Sequence, residues 1–303
     1  LTYQHRFTFY RDNNELDDNF PLLDLKARYD SGVMLATGYG SYSRVASNTI
    51  DVQQRGVLIE RDISKLGGQL KYSLSSLTAV SGGVDYEEVD YQDSIYTDYE
   101  SISVPVTFFY RVRPKIDLTA GARYRTVDTS SGLQPAFDYE DMYYYVGAVG
   151  EFFSPVLYAD VTVGFQEREA DDAGVDASSA SYDISFIYTG NAKSNLYVSV
   201  SRDYRTSAIG GTAYAFTSAG LGGDYQLNDF FGFNAGVVFG TSEYEQSLRA
   251  EDIFTFNLGA TYQPNEYLSL IARYEHTQVD GNGQGGAPNY DSNEFRVSAS
   301  LRY

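Results

Sequence analysis

The chain ends in a nine-residue segment whose pattern only an extended backbone can use. In Phe295 to Tyr303 (FRVSASLRY), Phe295, Val297, Ala299, Leu301 and Tyr303 take one set of alternate positions, and Arg296, Ser298, Ser300 and Arg302 take the other. Side chains of a strand project to opposite faces with a period of two, so one face here is apolar and ends on an aromatic ring while the other is cationic and hydroxylic. A wall between lipid and water demands that division. A soluble sandwich can show it once, so the decision rests on repetition.

The pattern repeats along the chain. Leu118, Ala120, Ala122 and Tyr124 alternate with Asp117, Thr119, Gly121, Arg123 and Arg125; Leu157, Ala159, Val161, Val163 and Phe165 alternate with Tyr158, Asp160, Thr162, Gly164 and Gln166. Further copies run through Asp183 to Thr189, Leu196 to Asp203 and Phe254 to Gln263. No stretch keeps a helical period, so the chain reads as all-β. Faces this polar would leave a soluble sandwich without a core, and the pattern predicts a closed antiparallel transmembrane β-barrel.

Composition agrees with this reading. No linker divides the 303 residues, so 1–303 is expected to be one domain. Hydrophobic residues make up 43%, yet mean hydropathy is −0.34 and no apolar run is long enough for a membrane helix. The 29 Tyr and 18 Phe suit interfacial girdles, and the 28 Gly suit tight turns and crowded wall positions. With no cysteine, a disulfide scaffold and a thiolate metal site are excluded. A net charge of −19 argues against nucleic acid as a partner. No basic, apolar leader stands at Leu1, so an exported protein is expected to have lost it outside this numbering.

Two kinds of connection alternate. Short turns are expected at Asp30-Ser31-Gly32, Ser75-Ser76, Arg113-Pro114-Lys115, Ser154-Pro155, 190–194, 226–229 and Pro264-Asn265, with longer polar loops near 12–19, 47–65, 89–98, 129–139, 169–180, 206–213, 242–251 and 280–291. That predicts about sixteen strands, with fourteen and eighteen open, the short turns facing the periplasm and the long, acidic loops facing outward. Two acidic stretches read as loops: Asp85, Tyr86, Glu87, Glu88, Asp90, Tyr91, Asp93, Tyr96, Asp98, Tyr99 and Glu100, and a second from Glu167 to Asp176. The plainer reading of both is a solvated surface bridged by divalent ions to lipopolysaccharide. The length of 47–65, with Val57-Leu58-Ile59 inside it, marks that stretch as the candidate plug.

Alternation directs Lys26, Arg28, Arg111, Arg123, Arg125, Arg205, Arg273, Arg296 and Arg302 into the lumen together with Asp160, Asp183, Asp203 and Glu275. Such a wall braces the barrel through ion pairs or lines a constriction for anions. No catalytic constellation is present: His5 and His276 have no ligand set nearby, and no nucleophile elbow, zinc-protease motif or phosphate loop occurs. The expectation is a non-enzyme without cofactor or metal.

Several stretches carry a family resemblance: Tyr72 to Gly83 (YSLSSLTAVSGG), Tyr110 to Arg125 (YRVRPKIDLTAGARYR), Asn195 to Ser207 (NLYVSVSRDYRTS), and Asp252 to Arg273 followed by Asn289-Tyr290-Asp291-Ser292-Asn293. Over roughly residues 20–303 the chain resembles the putative β-barrel porin 2 family of outer-membrane barrels linked to exopolysaccharide export. The resemblance implies a bacterial outer-membrane conduit for a polysaccharide, handed over by a periplasmic export protein. The residues themselves suit equally a passive, cation-preferring porin for small solutes, or a structural or adhesive surface barrel.

Overall fold

The computed structural model describes residues 2–8, 18–47, 59–130, 138–153, 155–171, 176–208, 213–244, 248–282 and 289–301. Fifteen antiparallel pairings join the strands in chain order into one sheet. The strands are β1 (Thr2–Thr8), β2 (Asp18–Asp30), β3 (Met34–Ser47), β4 (Ile59–Ser73), β5 (Thr78–Tyr91), β6 (Tyr99–Arg113), β7 (Ile116–Thr129), β8 (Tyr139–Glu151), β9 (Leu157–Ala170), β10 (Ala177–Asn191), β11 (Ser194–Thr206), β12 (Ala213–Gln226), β13 (Phe231–Tyr244), β14 (Ala250–Tyr262), β15 (Leu268–Gly281) and β16 (Asn289–Leu301). The expected pairing of β16 with β1, which would close the sheet, is not among the pairings of the described residues. Arg302 and Tyr303 lie outside those residues.

Apart from β1 the strands run 13 to 15 residues. At ~3.3 Å per residue and a tilt of ~40°, thirteen residues rise ~33 Å, more than the ~25 Å apolar band of an outer-membrane barrel, so both ends project beyond the hydrocarbon. At one end the turns are short and capped by their own side chains. Asp30 Oδ1 accepts from the Gly32 amide at 2.9 Å, with Gly32 at φ +80°, a conformation that favours glycine. The Asn191, Asn228 and Asn265 side chains likewise accept from amides two or three residues on, at 2.8 to 2.9 Å.

The two faces of the sheet are chemically opposite. One cross-strand row reads Tyr72, Val80, Phe108, Ala120, Val146, Val163 and Tyr182. Tyr72, Phe108, Val146 and Val163 of this row are exposed, Val146 by 59%, as are Phe239, Leu258 and Phe295 farther round. Side chains of this character stand in water only at high cost, and lipid is the solvent that suits them. On the other face Arg123 of β7 reaches Asp203 of β11 at 3.1 Å. Four strand spacings in a flat sheet would separate them by ~19 Å, so the sheet curls about this polar face, which is the inner one.

The ladders change the reading of the acidic segments. Asp85 to Tyr91 belong to β5, and Tyr99 and Glu100 to β6, so only 92–98, with Asp93, Tyr96 and Asp98, is a connection. Glu167 and Glu169 belong to β9. Of the stretch expected as a plug, Ile59 to Lys65 is the start of β4, paired with β3 from Ser47↔Ile59 onward, and 48–58 lies outside the described residues. Strands that outrun the membrane explain the misreading: their projecting ends need no apolar face and carry loop-like composition.

Placing a charge on the lipid face should therefore be costly where the same change on the inner face is not. Val163→Arg, at the middle of β9, should destabilise the barrel by ~2–4 kcal/mol and Thr162→Arg by far less, read from urea titrations of the protein folded in lipid vesicles.

Candidate functional site

One inner-face row crosses eight strands: Lys26, Tyr39, Gly67, Asp85, Ser103, Arg125, Asp141 and Arg168. Its charges alternate in sign, the arrangement in which direct cross-strand neighbours attract. The missing side chain at Gly67 is part of the design. A Cβ there would lie 2.6 Å from the Tyr39 ring, which crosses Gly67 so that its hydroxyl donates to Asp85 Oδ1 at 2.9 Å. Tyr145 repeats the device, crossing Gly121 to meet the Thr107 hydroxyl at 2.5 Å.

Toward the long-loop end the row condenses into a buried ion cluster. Arg168 grips Asp141 with two hydrogen bonds, Nε to Oδ1 at 2.6 Å and Nη2 to Oδ2 at 2.8 Å, and both side chains are 1% exposed. Its guanidinium lies between the rings of Tyr139 and Tyr204, 3.9 and 4.6 Å from their centres. Arg125 donates to the same Asp141 through Nε at 2.8 Å and to the Tyr204 carbonyl at 3.0 Å, while Arg123 holds Asp203. Three guanidiniums thus share two carboxylates.

The cluster forms because β11 leaves its neighbour. The β10–β11 ladder has no pair beyond Tyr182↔Arg202 among the described residues, although β10 continues to Ala177 and β11 stays paired with β12 as far as Thr206↔Ala213. Thr206 to Ala208, at the end of β11, turn inward, where Thr206 and Tyr139 hydroxyls bond and the Thr97 amide donates to the Ala208 carbonyl at 2.9 Å. Ile59, Tyr96 and Ala208 form a buried apolar contact above it. Among the described residues, Thr206 to Ala208 and the 92–98 connection meet across the inner face at this end.

The residues singled out from the sequence distribute as follows. Lys26, Arg28, Arg111, Arg123, Arg125, Asp160, Asp183, Asp203, Arg205, Arg273, Glu275 and Arg296 share the inner face through the ladder register. Lys26 pairs with Asp24, Arg28 with Asp30 at 3.2 Å, Arg111 with Asp117 at 2.9 Å, and Arg296 with Glu294. Arg273, Glu275 and Arg296 line a recess of ≈ 420 Å³. The acidic and aromatic set divides: Asp85, Glu87, Tyr91 and Tyr99 face inward, with the Tyr99 hydroxyl donating to Glu87 at 2.8 Å, while Tyr86, Glu88, Asp90 and Glu100 take the outer face. Asp93 and Asp98 shape the connection by accepting from the Ile95 and Tyr91 amides. His276 meets Asn293 across the strand pair, Nδ1 to Oδ1 at 3.1 Å. Among the described residues no group of three or more His, Asp or Glu side chains could hold a metal ion.

Sequence reading missed Asp141, Arg168, Arg61 and Lys65. Alternation would have found the first two, since counting by twos from Tyr145 reaches Asp141 and from Asp160 reaches Arg168.

A fold of this kind, one ordered antiparallel meander with an apolar outside and a charged inside, defines an outer-membrane β-barrel. The family model of putative beta-barrel porin 2 matches residues 145–303, more than half of the chain, and the chain belongs to that family. It is a porin-like barrel of the bacterial outer membrane. No curated protein compared with the chain matches it. Among solved structures it is similar to the FrpB iron transporter from Neisseria meningitidis (F5-1 variant), with 11% identity and a TM-score of 0.60 over 95% of this chain and 58% of that one. It is also similar to the copper transporter OprC, with 11% identity and a TM-score of 0.55 over 94% and 58%. The chain spans little more than half the length of these structures, and at such identities the likeness is one of fold.

Removing the shared carboxylate should be costly. Asp141→Asn would leave the Arg168 guanidinium buried and uncompensated, and should destabilise the folded barrel by ~3–5 kcal/mol. Asp141→Asn combined with Arg168→Met should recover much of that loss in the same urea titration.

Proposed function

We propose that this protein is an export conduit for a hydrated polysaccharide across the outer membrane, with Thr206 to Ala208, turned inward at the end of β11, as its stopper. The observation that carries the reading is the contact of Thr97 with Ala208 across the mouth, above an inner face of paired charges and tyrosines. A polymer in transit needs many weak, exchangeable contacts rather than one tight cage. Tyrosine rings offer faces for sugar rings, and paired carboxylates and guanidiniums offer hydroxyl partners. Family membership favours the same direction of thought. A shut mouth also fits a pore that serves a periplasmic partner, which we place at the short turns, at Arg113-Pro114-Lys115 and Gly190 to Ser194. Lipid and lipopolysaccharide surround the wall.

A passive, cation-preferring porin is the second reading. It draws on the net charge of −19 and on the outer-face row Glu88, Glu100 and Asp128 at the long-loop end. The two readings differ in the resting state. An export conduit should conduct little when reconstituted alone, and its deletion should remove surface polysaccharide while leaving small-solute uptake unchanged. Large spontaneous conductance with normal polysaccharide in the deletion strain would favour the porin.

The chain has no cysteine, so the stopper can be locked without background. Thr97→Cys with Ala208→Cys should form a disulfide under oxidation, abolish polymer export, and regain it on reduction. Undiminished export by the locked protein would show that Thr206 to Ala208 is not the stopper.

A further inference from the structure

Beneath the stopper lies a cavity of ≈ 550 Å³ whose lining differs in sign from the rest of the protein. Its charged residues are four cations, Arg61, Lys65, Arg125 and Arg205, against two carboxylates, Glu87 and Asp203. Three of these six are already committed: Lys65 to Glu87, and Asp203 to Arg123 outside the lining. Arg125 is held mainly by Asp141. Arg61 and Arg205 make no ion pair among the described residues. Arg61 Nε is buried without a hydrogen-bond partner, and its guanidinium stands 5.9 Å from the Tyr91 ring centre. Arg205 packs on the Phe216 ring at 4.0 Å.

Arg61 is half-buried and Arg205 exposed to the cavity, and a half-buried guanidinium without a counter-ion is unusual in a chain of net charge −19, where carboxylates are abundant. They are placed on opposite sides of the bore, Arg61 on β4 and Arg205 on β11, and both reach the same space. Four tyrosines, Tyr91, Tyr99, Tyr204 and Tyr214, complete the walls. Guanidiniums bind carboxylates through paired, charge-assisted hydrogen bonds, and tyrosine rings lie against the apolar faces of pyranose rings. The volume falls within the ~300–1,000 Å³ of small-ligand sites, enough for one or two sugar rings.

We propose that this cavity is a binding site for acidic sugar units, ring-hydroxylated residues carrying a carboxylate, with Arg61 and Arg205 as the paired anion clamps and the half-buried Tyr91 and Tyr99 as stacking faces, since the Tyr204 and Tyr214 rings are already packed against Arg168 and Tyr244. The inference rests on the conduit reading and narrows its cargo to a polyanion. It also reverses, at this one depth, the cation preference that overall charge suggests.

The test is calorimetric titration of the detergent-solubilised barrel with oligogalacturonate, using neutral malto-oligosaccharide of equal length and inorganic sulfate as comparison ligands. Oligogalacturonate should bind, neutral sugar should bind at least tenfold more weakly, and sulfate should not compete at equal charge concentration. Arg61→Gln with Arg205→Gln should lower oligogalacturonate affinity about tenfold or more, while the Lys replacements at both positions should retain part of it. Heat-modifiable migration on gels establishes that each variant is folded. Equal binding of the neutral and acidic oligomers, unchanged affinity in the folded Gln variant, or sulfate competing as well as the sugar acid would each overturn the proposal. Export by the locked and unlocked barrel is measured separately, so a conduit that exports polymer but shows no acidic-sugar preference would refute this inference and leave the conduit reading in place.

Discussion

In hydrocarbon no water is present to satisfy an amide or a carbonyl, and every other feature of this protein follows from that constraint. Each strand must be bonded on both edges through the membrane, which fixes the ladder order β1 to β16 and, with it, the register of every side chain. Register decides chemistry here. Because the period is two, one shift in any ladder would turn the row Lys26, Asp85, Arg125, Asp141 and Arg168 toward lipid and bring Phe108, Val146 and Val163 inside.

The inner face is accordingly a set of electrostatic rows whose local balance varies with depth. Near the short turns, Lys115 pairs with Glu151 at 2.5 Å and Arg111 with Asp117, one to one. Near the long loops, Arg123, Arg125 and Arg168 divide Asp141 and Asp203 among them, an excess of one cation before Arg61 and Arg205 are counted. An outwardly acidic protein thus carries a basic zone inside its own mouth, shielded from the outer carboxylates by the wall.

How much of this was legible beforehand depends on the range of the interaction. Alternation from Leu118 to Arg125 or Phe295 to Leu301 is local, and it sufficed for strand, face and fold class. The same rule placed Arg123 and Asp203 inward, but not against each other, since their meeting requires β11 to depart from β10, an event set eighty residues away in the chain. The acidic segments misled for a related reason. Composition distinguishes water from lipid rather than loop from strand, so Asp85 to Tyr91, a strand whose Asp85 and Glu87 face inward and whose last residues reach the long-loop end, reads like a loop. Gly67 and Gly121 were legible as glycines but not as the hollows over which Tyr39 and Tyr145 lie, because the ring comes from a different strand.

The stopper is made from the wall. Past Tyr182↔Arg202, β10 from Ala177 to Ser181 has no ladder partner on β11 among the described residues, while Asp203 to Thr206 of β11 turn into the bore toward Arg123 and Tyr139. The same few residues can seal the side of the barrel or its centre, but not both. On the proposed stopper, an outward swing of these residues would exchange ion pairs with Asp203 for ladder hydrogen bonds with β10. Wall and stopper would then compete for the same residues, so that a barrel of this build would be most complete when it is open.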